Sequence, residues 1–238
     1  MYKKKKIVAI IPARKGSKGI KDKNIISLNG KPLVAYSINY AKNSNLIDKT
    51  FVSTDGKKIA SISKKFGADI IRRPKNISGD NIALEPTIFH SIKYIERNLK
   101  YKFDIIVFLQ PTSPLRKKNE VDEAIKLLIN KGLDTVFSSN NYLPFIWKKN
   151  RRSFFPMNFS LYKRKNRQEI YTVNETGSFY IFTKKMFLKS KNRFGKKILN
   201  YNSEFLSSVL EIDDYEDYKY ISNILKTNIP RKYDIFLP

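Results

Sequence analysis

The sequence predicts an α/β protein: a Rossmann-like, mainly parallel sheet with helices on both faces. Three observations carry this. Apolar runs of strand length, bounded by turn residues, recur at Ile7–Ile11, Thr50–Thr54, Ile105–Leu109 and Thr135–Ser138. Stretches of helical pattern alternate with them, as in a sheet of parallel strands joined by helical crossovers. The chain has 238 residues, 41% of them hydrophobic, which is enough for one α/β domain with an insertion.

The first strand leads into the most informative loop. After Ile7–Ile11 come Pro12, Arg14, Lys15, Gly16, Ser17, Lys18, Gly19, Lys21, Lys23 and Asn24. Glycines let a backbone approach an anion closely, and N–H groups and cations neutralise it. The spacing is neither G-x-x-x-x-G-K-[ST] nor G-x-G-x-x-G. A phosphate-binding loop and a solvated basic loop both remain open here.

The first helix is predicted from Pro32, a residue tolerated at a first helical position, with Val34, Ile38 and Ala41 on one face. Further helices are expected over Lys57–Phe66, Leu84–Leu99 and Glu120–Asn130, with Gly132 as a stop, and a fifth strand over Ser178–Phe182. Residues 140–175 interleave aromatics and cations without clean periodicity. They fit a nucleic-acid surface on which bases stack, a hairpin or arm packed on a second subunit, or an irregular β insertion. Because they interrupt a regular β/α pattern, we read one domain over 1–238 with an insertion arm at about 140–175.

Near the end, SSVLEIDDYEDYKYISNILK holds Glu211, Asp213, Asp214, Glu216 and Asp217 in a protein with few acids. In a strand, Val209, Glu211 and Asp213 would share one face. Two carboxylates there would suit a hard cation such as Mg²⁺, with phosphate oxygens completing its shell. Asp214, followed three residues on by Asp217, reads as a helix N-cap.

Composition excludes several classes. No cysteine means no disulfide and no thiolate metal site. The single histidine, His90, rules out a multi-histidine zinc site; it reads as a surface or core residue, not a catalytic base. Forty-seven Lys and Arg against 21 Asp and Glu give a formal charge of +26. That would attract nucleic acid or anionic surfaces, but the cations are spread along the whole chain, as in a generally Lys-rich composition. The start, MYKKKKIVAIIPA, places basic residues before apolar ones as a signal peptide does. Its apolar run is short and is broken by Pro12 and Arg14, so a cytoplasmic protein without membrane contact is expected.

Taken together, IIPARKGSKGIKDKNI (10–25), LNGKPLVAYSI (28–38), FVSTDGKKIA (51–60), IIRRP (70–74), LQPTSPLR (109–116), RQ (167–168), GSFYIF (177–182) and LEIDDYEDY (210–218) resemble the acylneuraminate cytidylyltransferases over nearly the whole chain. The resemblance implies a nucleotide-binding α/β domain and a homodimer whose insertion reaches the partner's active site. It implies transfer of CMP from CTP to a nine-carbon 2-keto sugar acid, with Mg²⁺ as cofactor and release of pyrophosphate. By resemblance, Arg14, Ser17, Lys18 and Lys23 contact phosphates, Asn24 the ribose, and Arg73 with the 78–81 segment, including Asp80, the cytosine. Lys23, Arg14 and Asp213 form the catalytic set, with Lys23 meeting transition-state charge. Asp213 ligates metal, and Glu211 stands where the family commonly has a first Asp. Gln110, Arg167 and Gln168 match sugar-contacting positions, and Tyr180 an aromatic near the sugar's acyl group or a core residue. Arg116 either holds its loop or touches substrate. Thr176-Gly177 replaces the family's Asn-Gly, so legionaminate-type acceptors stand beside N-acetylneuraminate. Pseudaminate and Kdo are the neighbouring alternatives; a basic nucleic-acid-binding protein is the alternative from another class.

Overall fold

A computed structural model describes residues 2–141, 145–163, 166, 172–203 and 210–237. Strand β1 (Ile7–Pro12) sets up the core. Ile7, Ala9 and Ile11 join one helix layer, Val8 and Ile10 the other, and all five are fully buried. Burial on both faces is why this run reads as continuously apolar. β2 (Ser27–Leu28) and β3 (Lys31–Pro32) form a short hairpin that leads into helix α1 (Leu33–Asn43). β1 pairs in parallel with β4 (Lys49–Thr54) on one side and β6 (Ile105–Leu109) on the other, and β4 pairs in parallel with β5 (Asp69–Arg72). β10 (Asn174–Thr183) runs antiparallel between β6 and β7 (Thr135–Asn140), and β11 (Ile198–Asn202) lies parallel to β7. The resulting order is β11-β7-β10-β6-β1-β4-β5. Helices α1, α2 (Lys57–Lys65) and α4 (Glu120–Asn130) cover one face through Val34, Ile38, Ile59, Val121 and Ile125. Helices α3 (Leu84–Arg97) and α5 (Lys184–Ser190) cover the other through Ile88, Ile92 and Phe187.

The predicted strands and helices fall in place with small changes at their ends. α1 starts at Leu33, because Pro32 is extended and serves as N-cap. β10 begins four residues before the predicted Ser178, since Asn174 and Glu175 already pair with β7. β5, β11 and α5 were not anticipated. β5 has one fully buried residue, Ile71, and β11 is half exposed at a sheet edge, so neither carries an apolar run. Within residues 140–175, β8 (Trp147–Asn150) and β9 (Ser153–Pro156) form a separate antiparallel hairpin.

The acidic segment differs from the strand reading. No ladder forms at 210–213; Ile212 N–H donates to Thr112 O at 2.8 Å instead, and Val209 lies outside the described residues. Asp214 does cap α6 (Tyr215–Leu225). Its carboxylate accepts from the Glu216 and Asp217 N–H groups, and Asp217 reciprocates toward the N-cap backbone as a capping box. The short α7 (Ile229–Lys232) follows.

A third apolar cluster joins the phosphate-loop candidate to the C-terminal region. Ile20, Leu28, Leu33, Leu115, Ile212 and Ile221 are all buried in it. Arg116, fully buried, ties three elements together. It donates to Ser37 Oγ of α1 at 3.0 Å, to Gln110 O at 2.7 Å and to Ser178 O of β10 at 2.9 Å. Burial lowers its pKa to about 10, with Tyr40, Glu120 and Glu211 favouring the charged form. Of the two roles considered for Arg116, it holds the loop.

Truncating Arg116 to Met should leave buried carbonyls unpaired. Urea denaturation should show a loss of roughly 3 kcal/mol; a loss under about 1 kcal/mol would show that the guanidinium is not what fixes the loop.

Candidate active site

The parallel strands deliver the site. The loops leaving β1, β4, β5 and β6 emerge at one edge of the sheet, and antiparallel β10 begins at that same edge. The chain winds from β1 first to β4 and later back to β6 on the other side. The gap outside their carboxyl ends is therefore a topological switch point, where open α/β sheets bind ligands.

A cavity of ≈ 220 Å³ lies there, lined among others by Arg14, Ser17, Lys23, Asn24, Arg73, Asp80 and Gln110. The loop after β1 is pinned by Lys15 N–H donating to Asp55 Oδ1 at 2.8 Å and by Asn24 Nδ2 donating to Arg14 O at 2.9 Å. Arg14 pairs with Asp80, and Lys18 stands 3.9 Å from the same carboxylate. Lys18 is otherwise well exposed; it borders a wider opening of ≈ 600 Å³ that shares Arg14, Ser17 and Asp80.

Arg73 is 8% exposed. Its Nη1 donates to Thr87 Oγ1 at 3.2 Å, while Nε and Nη2 have no hydrogen-bond partner among the described residues. Burial lowers its pKa to about 10, opposed by Asp55 and reinforced by Arg14. Buried guanidinium donors without acceptors are costly, and the residue that carries them is part of the wall of this cavity. His90 lies nearby on α3. Burial and then Arg73 hold its pKa below the usual value, which keeps it neutral.

The acidic segment adjoins this cavity. Lys23 Nζ donates to Ile212 O at 2.9 Å and to Asp213 Oδ1 at 3.0 Å. Gly19 packs so closely on the Asp213 carbonyl that a Cβ there would collide with it, so only glycine permits this docking. Asp217 Oδ2 accepts from Asp213 N–H at 2.9 Å and fixes the turn. Glu211 and Asp213 line a second cavity of ≈ 490 Å³ with Glu175, Gly177, Tyr180 and Asp217. Burial raises the Glu211 pKa; Ser113, which donates to Oε1 at 3.2 Å, opposes this, and the Asp213 charge adds to it.

Gln110 stands at the junction. It lines the first cavity, and its Nε2 donates at 2.7 Å to the carbonyl of Gly177, which lines the second. Gly177 has φ +67°, and a Cβ there would lie 2.6 Å from both Gln110 Nε2 and Glu211 Oε1. Tyr180 reaches the second cavity while 4% exposed, so it is both a core and a site residue. Its hydroxyl donates to Glu175 Oε1. Arg167 and Gln168 lie outside the described residues.

The structure thus gathers Arg14, Ser17, Lys18, Lys23, Asn24, Arg73, Asp80, Gln110, Tyr180, Glu211 and Asp213 at one edge of the sheet. Sequence reasoning missed Thr87, Ser113 and Glu175. Thr87 and Ser113 carry no local motif, and Glu175 is brought in by an irregularity of β10 that no spacing announces.

A family model described as cytidylyltransferase matches residues 8–229. An N-acylneuraminate cytidylyltransferase of Escherichia coli is 33% identical over 238 residues, 97% of this chain and 55% of that protein. The chain therefore spans about half the length of that relative. A CMP-N,N'-diacetyllegionaminic acid synthase of Legionella pneumophila is 30% identical over 233 residues, 94% of this chain and 97% of that protein. The solved structure of a CMP:2-keto-3-deoxy-manno-octonic acid synthetase complexed with CTP aligns with a TM-score of 0.67, covering 92% of this chain and 98% of that one; at 16% identity the likeness concerns the fold. With the strand-end cavities, the family match over 8–229 and the 33% identity all pointing one way, this chain belongs to the cytidylyltransferase family of nucleotidyltransferases.

Proposed function

We propose that this protein transfers CMP from CTP to the anomeric hydroxyl of a nine-carbon 2-keto sugar acid of N-acetylneuraminate or legionaminate type, releasing pyrophosphate. The observation that carries the reading is one contact: Lys23 meets Ile212 and Asp213, 190 positions later, where a cationic loop and two carboxylates border adjoining cavities. CTP occupies the cavity of Arg14, Arg73 and Gln110, and the acceptor that of Tyr180 and Glu211.

In this reading Arg14 and Lys18 exchange the Asp80 carboxylate for phosphate oxygens. Arg73, in the cavity wall, sets a positive charge beside the nucleotide. As the acceptor hydroxyl attacks the α-phosphorus and pyrophosphate leaves in line, charge grows on the leaving oxygens. Lys23, anchored on the Ile212 carbonyl, is held where it can meet that charge without reorganising.

The carboxylates fit Mg²⁺. Glu211 and Asp213 offer hard oxygen donors; burial raises the Glu211 pKa, the Asp213 charge adds to it, and a cation would favour both ionised forms. Among the described residues no three His, Cys, Asp or Glu side chains group as a cation site; with two protein carboxylates, phosphate oxygens and water would have to complete the shell. Mg²⁺ bound there would offset triphosphate charge.

A homodimer is part of the proposal. The β8–β9 hairpin and the residues after it expose Trp147, Phe154, Met157 and Tyr162, a surface suited to a second copy. No described helix is long and apolar enough to cross a membrane. We place the protein in the cytoplasm, with its nucleotide substrate.

A panel of sialic, legionaminic, pseudaminic and Kdo acids with CTP and Mg²⁺, read by pyrophosphate release and product mass, should yield a CMP-sugar from at least one nine-carbon acid. Turnover confined to Kdo would move the assignment to the eight-carbon acceptor. No turnover at all, with tight, salt-sensitive binding to generic DNA, would favour the nucleic-acid reading.

Lys23→Ala should lower kcat by about 10²–10³, and a change within threefold would remove Lys23 from the chemistry. Asp213→Ala should abolish Mg²⁺-dependent turnover while the unfolding midpoint stays near that of the parent, since the side chain is 73% exposed. Unchanged turnover would mean that Asp213 is not a metal ligand.

A further inference from the structure

Glu175 and Tyr180 are five positions apart on β10, so in a regular strand their side chains would point to opposite faces. They nevertheless meet, because the ladder with β7 is irregular between them. Glu175 pairs with Ser139 and Tyr180 with Phe137, so five steps along β10 match two along β7. Three extra residues, an odd number, reverse the parity of the strand. Gly177, at φ +67°, is where the chain makes the bend.

The bend brings an exposed carboxylate to the rim of the acceptor-side cavity and fastens it there. The Tyr180 hydroxyl donates to Oε1, and burial followed by this bond raises the Tyr180 pKa, so the hydroxyl stays protonated. Tyr180 is itself fixed from behind. The Arg193 guanidinium lies 4.6 Å from its ring centroid and pairs with Glu85, and Phe194 packs edge-on at 5.9 Å. Among the described residues the second oxygen, Oε2, takes no protein partner. A carboxyl group bonded to a buried tyrosine thus stands at the cavity to which the reading above assigns the sugar.

We propose that Glu175 is a specificity-determining residue for the acceptor: its second carboxylate oxygen accepts a hydrogen bond from one hydroxyl or amide N–H of the acidic sugar and selects for acceptors that carry that donor. This rests on the functional reading above. A site built to bond one donor rejects an analogue lacking it, because the protein group is left without its partner. Tyr180 and Arg193 act as positioning residues, holding the carboxylate without touching the reacting atoms.

The test is a cycle between enzyme and substrate variants. Purified parent, Glu175→Ala and Glu175→Gln are assayed with CTP and a set of acceptors made up of the intact nine-carbon acids and analogues of them each lacking one hydroxyl or amide N–H. For one member, removing the donor should lower kcat/KM of the parent about 10- to 100-fold, the range of a charged hydrogen bond. The same removal should cost Glu175→Ala less than about threefold, because the partner is already absent. The KM for CTP should stay within about twofold in both variants, since Glu175 lines the acceptor-side cavity and is not among the residues lining the nucleotide-side one. If Glu175→Ala fails to fold, Glu175→Gln keeps an acceptor for Tyr180 and should lose part of the discrimination at the same substituent. Equal losses in parent and variants for every acceptor would overturn the assignment and leave the cytidylyltransferase reading standing. A parent inactive with the whole set would remove both.

Discussion

The site depends on the docking of two distant segments. The loop after β1 and the turn before α6 share a core through Ile20 and Ile212, both fully buried. Gly19 lies against the Asp213 carbonyl, and Lys23 donates to the Ile212 carbonyl. The apolar burial supplies the attraction, and the absent side chain at Gly19 permits the distance. The lysine satisfies a backbone oxygen that the missing strand ladder would otherwise leave over. Cations and carboxylates are thereby held at neighbouring cavities without either segment belonging to the sheet. The sheet supplies only the edge on which they meet.

Arg116 extends this logic to the acceptor side. A fully buried cation is expensive in isolation, and here it persists because two carbonyls and a hydroxyl from three elements converge on it. One of those carbonyls belongs to Gln110, whose side chain in turn reaches Gly177. Gly177 is the bend that lets Glu175 reach Tyr180. The loop after β6 and the irregular start of β10 are therefore joined through Arg116 and Gln110, between the two cavities.

Much of this was legible in the sequence where a residue's part follows from its immediate neighbours. The core strands announce themselves because burial on both faces demands a continuous apolar run, as in Ile7–Ile11 and Ile105–Leu109. The Asp214 cap follows from Asp217 three positions on. The glycines and cations of residues 14–24 mark an anion-loop candidate, with a solvated basic loop left open until a partner is known. What stayed hidden depends on distance or on parity. β5 and β11 are strands because neighbours pair with them, not because of their own composition. Glu211 and Asp213 look like one face of a strand, yet Ile212 bonds Thr112 and no ladder forms. The role of Arg116 needed three partners from across the chain to decide. Glu175 sits on the wrong face by simple alternation, and only the three-residue irregularity corrects it.

The ion pair between Arg14 and Asp80 bears on how the protein tolerates its own charge. An unscreened cluster of cations at a binding loop would hold any passing polyanion, and a chain of net charge +26 meets many. Because Asp80 already satisfies Arg14 and draws in Lys18, an incoming anion must displace a carboxylate rather than fill an open field. A single phosphate gains little from that exchange. A triphosphate that also engages Arg73 and Lys23 gains several contacts at once. If the loop binds CTP as proposed, it would work as a threshold, sorting polyanions by how many contacts they can make together rather than by how strongly they are attracted from afar.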